Sequence, residues 1–156
     1  MARYVRIDGF PETPEDVFGM TIKGLLAQGV PSVTEASLPL LPYGRCMYRT
    51  MREGIQVACA AGLWINDKDY RPEMEGRPFS SIAHCIGDKW ARPFLSSGIS
   101  KMQEIHDRAA RIWVRHSSGN WPVILRRVTE STITKMSETM RHSLIPTHWE
   151  EFFVPE

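Results

Sequence analysis

Apolar residues recur along this chain at two spacings, and the places where the spacing changes mark the expected elements. Val17, Phe18, Met20, Ile22, Gly24 and Leu25 share one helical face. Thr13 is a good N-cap, Pro14 suits the first helical position, and Glu15 and Asp16 fall where a helix favours acids. Gly29 and Pro31 end this helix near Gln28. Ahead of it, Tyr4-Val5-Arg6-Ile7 alternates as a short strand does. Residues 30–44 then form a Pro-rich loop holding Leu38, Leu40, Leu41 and Tyr43. A loop this apolar must lie against the core or a partner.

Period-two alternation at 47–49 and 55–57, around Gly54, predicts a β-hairpin. A continuous helix from 46 to 63 is the alternative, and Gly54 weighs against it. Residues 58–64 read as a short helix. Ser80 or Ser81 caps a further helix carrying Ile82, Ile86 and Trp90, which ends before Pro93. Ser97-Gly98-Ile99-Ser100 leads into the clearest helix, with Ile99, Met102, Ile105, Ala109 and Ile112 as its stripe and an end near His116. Asn120 caps the last helix, with Leu125, Val128, Thr132, Met136 and Met140 as its stripe and Pro146 as its close. The tail, 142–156, carries aromatics from Trp149 onward and is expected to pack on the body. The pattern describes one α+β domain, mainly helical, with about five helices and a small β-hairpin.

At 156 residues the chain is about one domain long, enough to bury a core without disulfides or metal. A net charge of +1 argues against holding nucleic acid by bulk electrostatics. No apolar run has the length of a membrane span, and Asp8 and Pro11 interrupt any signal core, so a cytoplasmic protein is expected. Three cysteines without a CxxC spacing read as reduced thiols.

Four groups of residues could carry chemistry. Cys46 and Cys59 flank the hairpin, and His106 beside Asp107 could supply a base to either, which would make a Cys-His hydrolase or transferase. The plainer reading makes the cysteines small core residues and His106 a half-buried, hydrogen-bonded side chain. Zinc lacks a tight ligand pair. Counting a calcium loop from Asp67 puts Pro72 and Pro78 where Gly and Glu are needed. No metal or cofactor is therefore expected, and Asp67, Asp69, Glu73 and Glu75 read as a solvated elbow. Arg108, Arg111 and Arg115 share a helix face and could meet a phosphate, a nucleotide or an acidic protein. A solvated face is the bland alternative.

Several residues carry a resemblance. They are Leu26-Ala27-Gln28-Gly29, Cys46 with Tyr48-Arg49, Gly54, Cys59-Ala60 with Gly62, Ile65 and Asp67. Tyr70, Pro72-Glu73-Met74-Glu75-Gly76, Gln103, Ile105-His106-Asp107 and Trp121 continue it. Over residues 25 to about 128 their order and spacing resemble a group of small uncharacterised proteins from bacteriophages and their bacterial hosts. The resemblance implies a compact helical protein with a hairpin, of phage or prophage origin, and supplies no activity to carry over. The loop 30–44 and the tail after about 130 depart from that group.

The expectation is a non-enzymatic phage accessory protein that binds a host protein or a small anionic ligand. Tyr48, Arg49, Leu40, Leu41 and the three arginines form its expected contact surface. A virion component, self-assembling through the loop and tail, is the other alternative.

Overall fold

The computed structural model describes residues 7, 9–34, 45–46, 48–52, 55–116 and 119–153. Among the described residues there are five α-helices and a small antiparallel component: α1 Pro14–Gln28, α2 Phe79–Ile86, α3 Pro93–Arg115, α4 Trp121–Lys135 and α5 Glu138–Leu144. The hairpin is β3 Arg49–Arg52 paired with β4 Ile55–Ala58, with Thr50 opposite Val57. The fold is thus mainly helical α+β.

Helix α1 begins as its sequence dictates. Thr13 Oγ1 accepts from Asp16 N–H, and the Asp16 carboxylate accepts back from Thr13 N–H. Gly29, at φ 84°, closes the helix in the left-handed conformation that glycine tolerates best. The buried faces of α1 and α3 meet where Gly98 lies against Val17. Leu95, Ile99, Met102, Ile105 and Ala109 line the inner face of α3 and are fully buried. Burying each large aliphatic side chain contributes roughly 1.5–3 kcal/mol, more than a typical hydrogen bond, so this stripe outweighs the polar contacts described below.

Four elements differ from the sequence expectation. Helix α3 starts at Pro93, which opens the helix instead of ending the one before. The preceding helix stops at Ile86, because Gly87 adopts φ 139°, and Trp90 reaches the core from a separate 3₁₀ turn, Asp88–Ala91. Residues 58–64 form a turn and a 3₁₀ helix, Gly62–Trp64, instead of an α-helix. The expected last helix is two helices. Ser137 Oγ accepts from Met140 N–H and starts α5, which leaves Met140 43% exposed.

Ile112 also leaves the expected stripe, at 38% exposed, while Trp113 is buried. At about 100° per residue, Ile112 stands roughly 140° from Ile99 around the helix and Trp113 only about 40°.

A second two-stranded pair, unforeseen in the sequence, joins the start of the expected loop to the residues just after it. It joins β1 Val33–Thr34 to β2 Arg45–Cys46, with Val33 opposite Cys46. Leu40 and Leu41 lie outside the described residues, as does the expected strand at 4–7 apart from Ile7. The Ile7 N–H donates to the Leu63 carbonyl at 2.9 Å. The tail returns to the body through the 3₁₀ turn Trp149–Phe153, with Trp149 buried and Phe152 edge-on to Phe18.

Both edges of the β3–β4 hairpin are capped by side chains. Buried Gln28 accepts from Ala58 N–H at 2.8 Å and donates to the Ala58 carbonyl at 2.9 Å, so one amide completes the free edge of β4. At the start of β3, the N–H groups of Tyr48 and Arg49 donate to the Glu75 carboxylate at 2.8 and 3.1 Å.

Candidate functional site

The second of those caps also builds the site. After Ile65 the chain turns through Asn66, whose carbonyl accepts from the N–H groups of Asp69 and Tyr70. It then runs through the 3₁₀ turn Pro72–Met74, where Met74 plugs into the core. The Tyr70 hydroxyl donates to Glu75 at 2.6 Å, the third bond on that carboxylate. The Tyr48 hydroxyl donates to the Arg77 carbonyl. Arg49 is drawn inward. It pairs with Asp67 at 2.8 Å, donates to the Ile65 carbonyl at 2.6 Å and lies 4.6 Å from the centre of the Tyr70 ring. The elbow is therefore held down by Asp67 and Glu75, and only part of it is solvated as the sequence reading had it.

Between this elbow and α3 lies a cleft of about 670 Å³. Residues 75–79 form one wall, and Ser100, Gln103, Glu104, Asp107, Arg108 and Arg111 form the other. Tyr48 and Cys59 complete the lining. A groove of about 780 Å³ between α1 and the tail turn holds none of the candidate residues.

Cys59 is 1% exposed and accepts the Gly62 N–H on its sulfur at 3.4 Å. Burial pushes its thiol well above the usual range, and the negative charge of Asp107 pushes it further. Such a thiol stays protonated near neutrality and is a poor nucleophile.

His106 is fully buried, not half-buried as expected. Its Nε2 accepts the Ser32 N–H at 3.1 Å, which leaves Nδ1 as the donor nitrogen. That Nδ1–H donates to Asp107 Oδ1 at 3.0 Å. The ring also stands edge-on to Trp121, whose indole N–H donates to the Leu25 carbonyl. With both nitrogens engaged, His106 has no lone pair to offer a thiol. No hydrogen bond joins it to Cys59 among the described residues.

Gln103 extends this network by accepting from Ala61 N–H at 2.9 Å and donating to Asp107 Oδ1 at 2.7 Å. Among the described residues, no buried side-chain polar atom lacks a partner. Many of the residues singled out in the sequence take part in these contacts. They include Gln28, Tyr48, Arg49, Cys59, Gly62, Asp67, Tyr70, Glu75, Gln103, His106, Asp107 and Trp121.

Of the candidate contact residues, Tyr48, Arg108 and Arg111 line the cleft. Arg108 donates to Thr132 Oγ1 at 2.9 Å, which ties its guanidinium to α4. Arg115 is exposed one turn further on and lies outside the lining, as does Arg49. Cys46 pairs through its backbone in β2, and its side chain is outside the described set. Sequence reasoning missed Arg77, Phe79, Gln103 and Glu104 as lining residues. Gln103 and Glu104 were legible in principle, one turn before the singled-out Asp107 and Arg108 on the same helix.

No group of three or more His, Cys, Asp or Glu among the described residues could hold a metal ion. No helix among them is long and apolar enough to cross a membrane. Comparison with protein families, curated proteins and solved structures finds no match to this chain.

Proposed function

We propose that this chain is a non-enzymatic binding protein, a phage or prophage accessory protein that receives a host protein or a small anionic ligand in the cleft on α3. One observation carries the reading: Arg108 and Arg111 stand side by side on the wall of a 670 Å³ cleft whose only thiol, among the described residues, is buried. Arg108 is already oriented by Thr132, so less freedom is lost when its remaining N–H groups meet a carboxylate or phosphate. Tyr48 and Phe79 add aromatic surface to the same cleft. The phage origin rests on the resemblance, and a place in the host cytoplasm follows from it.

The Cys-His hydrolase reading is weaker. It needs a thiolate and a free imidazole nitrogen, whereas Cys59 is held protonated and both His106 nitrogens have partners.

Thermal-shift titration with phosphate, citrate and ATP, beside capture from bacterial lysate, tests the proposal. A ligand at a hundred times its Kd adds about 2.7 kcal/mol of stability. The double variant Arg108→Gln/Arg111→Gln should abolish the shift or the captured band, and added salt should weaken both. A wild-type protein that shows neither response would refute the binding reading.

A further inference from the structure

The cleft holds a partly exposed carboxylate on α3. Asp107 is 32% exposed and lines the cleft. Its Oδ1 takes both of its hydrogen bonds, from Gln103 and His106. The Ser32 N–H donates to Nε2 of His106, so Nδ1 is the nitrogen that donates to Asp107. Among the described residues, no lysine or arginine pairs with Asp107.

Arg108, on the same wall, has no carboxylate partner among the described residues. Glu104 and Arg108 stand at the i, i+4 spacing that commonly forms helix ion pairs. Glu104 instead pairs with Lys101 at 3.1 Å, and Arg108 reaches across to Thr132. The cleft therefore presents the Asp107 carboxylate beside the Arg108 guanidinium, and Arg111 also lines it. Arg108 and Arg111 follow Asp107 by one and four positions, which places them roughly 1.5 and 6 Å further along the helix axis.

We infer that the ligand carries both signs of charge: a guanidinium or ammonium group that docks on Asp107, joined to an anion that meets Arg108 and Arg111. This rests on the binding reading of the cleft and narrows it from a plain anion to a bipolar molecule. Two sources share this chemistry, a free basic amino acid and neighbouring basic and acidic side chains of a protein. Tyr48 and Phe79 offer aromatic surface to the alkyl part of either.

Isothermal titration calorimetry on the full chain tests this with five probes: L-arginine, agmatine, L-citrulline, the capped peptide acetyl-Gly-Arg-Glu-Gly-amide and inorganic phosphate. Citrulline replaces the guanidinium by a neutral group of nearly the same shape, and agmatine lacks the carboxylate. Arginine or the peptide should bind, and citrulline should bind at least tenfold more weakly than arginine. Asp107→Asn keeps an acceptor for Gln103 and His106 and removes only the charge, so it should weaken arginine or peptide about tenfold to a hundredfold. Arg108→Gln should weaken arginine and leave agmatine unchanged. Binding of free arginine identifies a small metabolite, and binding of the peptide alone identifies a protein segment; either supports the inference.

Citrulline binding as well as arginine would overturn it, as would a folded Asp107→Asn protein with unchanged affinity. Should that variant fail to fold, the wild-type comparison of arginine with citrulline still decides. If phosphate alone binds, in an Arg108-dependent way, the inference falls and the binding reading stands. If no probe binds and no partner is captured, both fall.

Discussion

Removing the Glu75 carboxylate should cost far more than removing an ordinary surface acid. Glu75 accepts three hydrogen bonds, two from backbone N–H groups at the start of β3 and one from the Tyr70 hydroxyl. Bonds to a charged acceptor are worth about 1.5–3 kcal/mol each when buried. All three are only part-buried, so water recovers some of that value. A loss of about 3 kcal/mol is expected for Glu75→Ala. In a chain of this length that lowers the melting temperature by about 6–12 °C.

Glu75→Gln should lose about 2 kcal/mol, because one of its two acceptor oxygens becomes an NH₂ that faces a donor. Tyr70→Phe removes a single bond and should lose about 1 kcal/mol. Because both changes break the same bond, Glu75→Ala/Tyr70→Phe should fall short of the sum by about 1 kcal/mol. Urea denaturation of the four variants measures all of this. If Glu75→Ala costs less than about 1 kcal/mol, the value of an exposed pair, the elbow is a solvated turn and the account of the cleft wall is wrong.

Two other outcomes follow from the same region. A Cβ on Gly62 would stand 2.1 Å from the Tyr48 carbonyl oxygen, a backbone atom that cannot swing aside, so Gly62→Ala should cost about 3–5 kcal/mol in urea; a loss below 1 kcal/mol would contradict that close approach. Stability should also fall in alkali. Burial raises the folded-state pKa of Cys59, Tyr48 and Tyr70, and for Tyr70 the hydrogen bond to Glu75 adds to it. A group raised on folding contributes fully below its unfolded pKa and loses that contribution as pH rises toward the folded value. The urea midpoint should therefore decline from about pH 8.5, where an unfolded thiol ionises, and more steeply above about pH 10, where tyrosines do. Cys59 alone accounts for up to about 1.4 kcal/mol per pH unit. A midpoint flat to pH 10.5 would contradict the buried placement of these groups.

Local signals legible in the sequence set much of the fold. The Thr13-Pro14-Glu15-Asp16 start, the Gly29 stop and the period-two alternation of the hairpin strands each rest on short-range chemistry, and each places an element. The errors arose where one residue carries two meanings. A proline can end one helix or begin another, and Pro93 begins α3, while Ser137 starts a new helix inside a stripe that looks continuous. The contacts that shape the cleft could not be read at all. Glu75 meets residues 26 and 27 positions earlier, and Gln28 meets Ala58, so only the folded chain brings them together. His106 was visible as a candidate, but its role was decided by the backbone of Ser32, 74 residues away. A base and a structural histidine look alike until that partner is known.

The functional account requires that Cys59 be part of the scaffold. Native protein treated with iodoacetamide at pH 7.5, then quenched and mapped by mass spectrometry, tests this directly. Cys85 is exposed and Cys59 buried, so Cys85 should be alkylated within minutes and Cys59 only after denaturation. Alkylation of Cys59 ahead of Cys85 in the folded protein would mean a reactive thiolate in the cleft, and the catalytic reading would replace the one argued here.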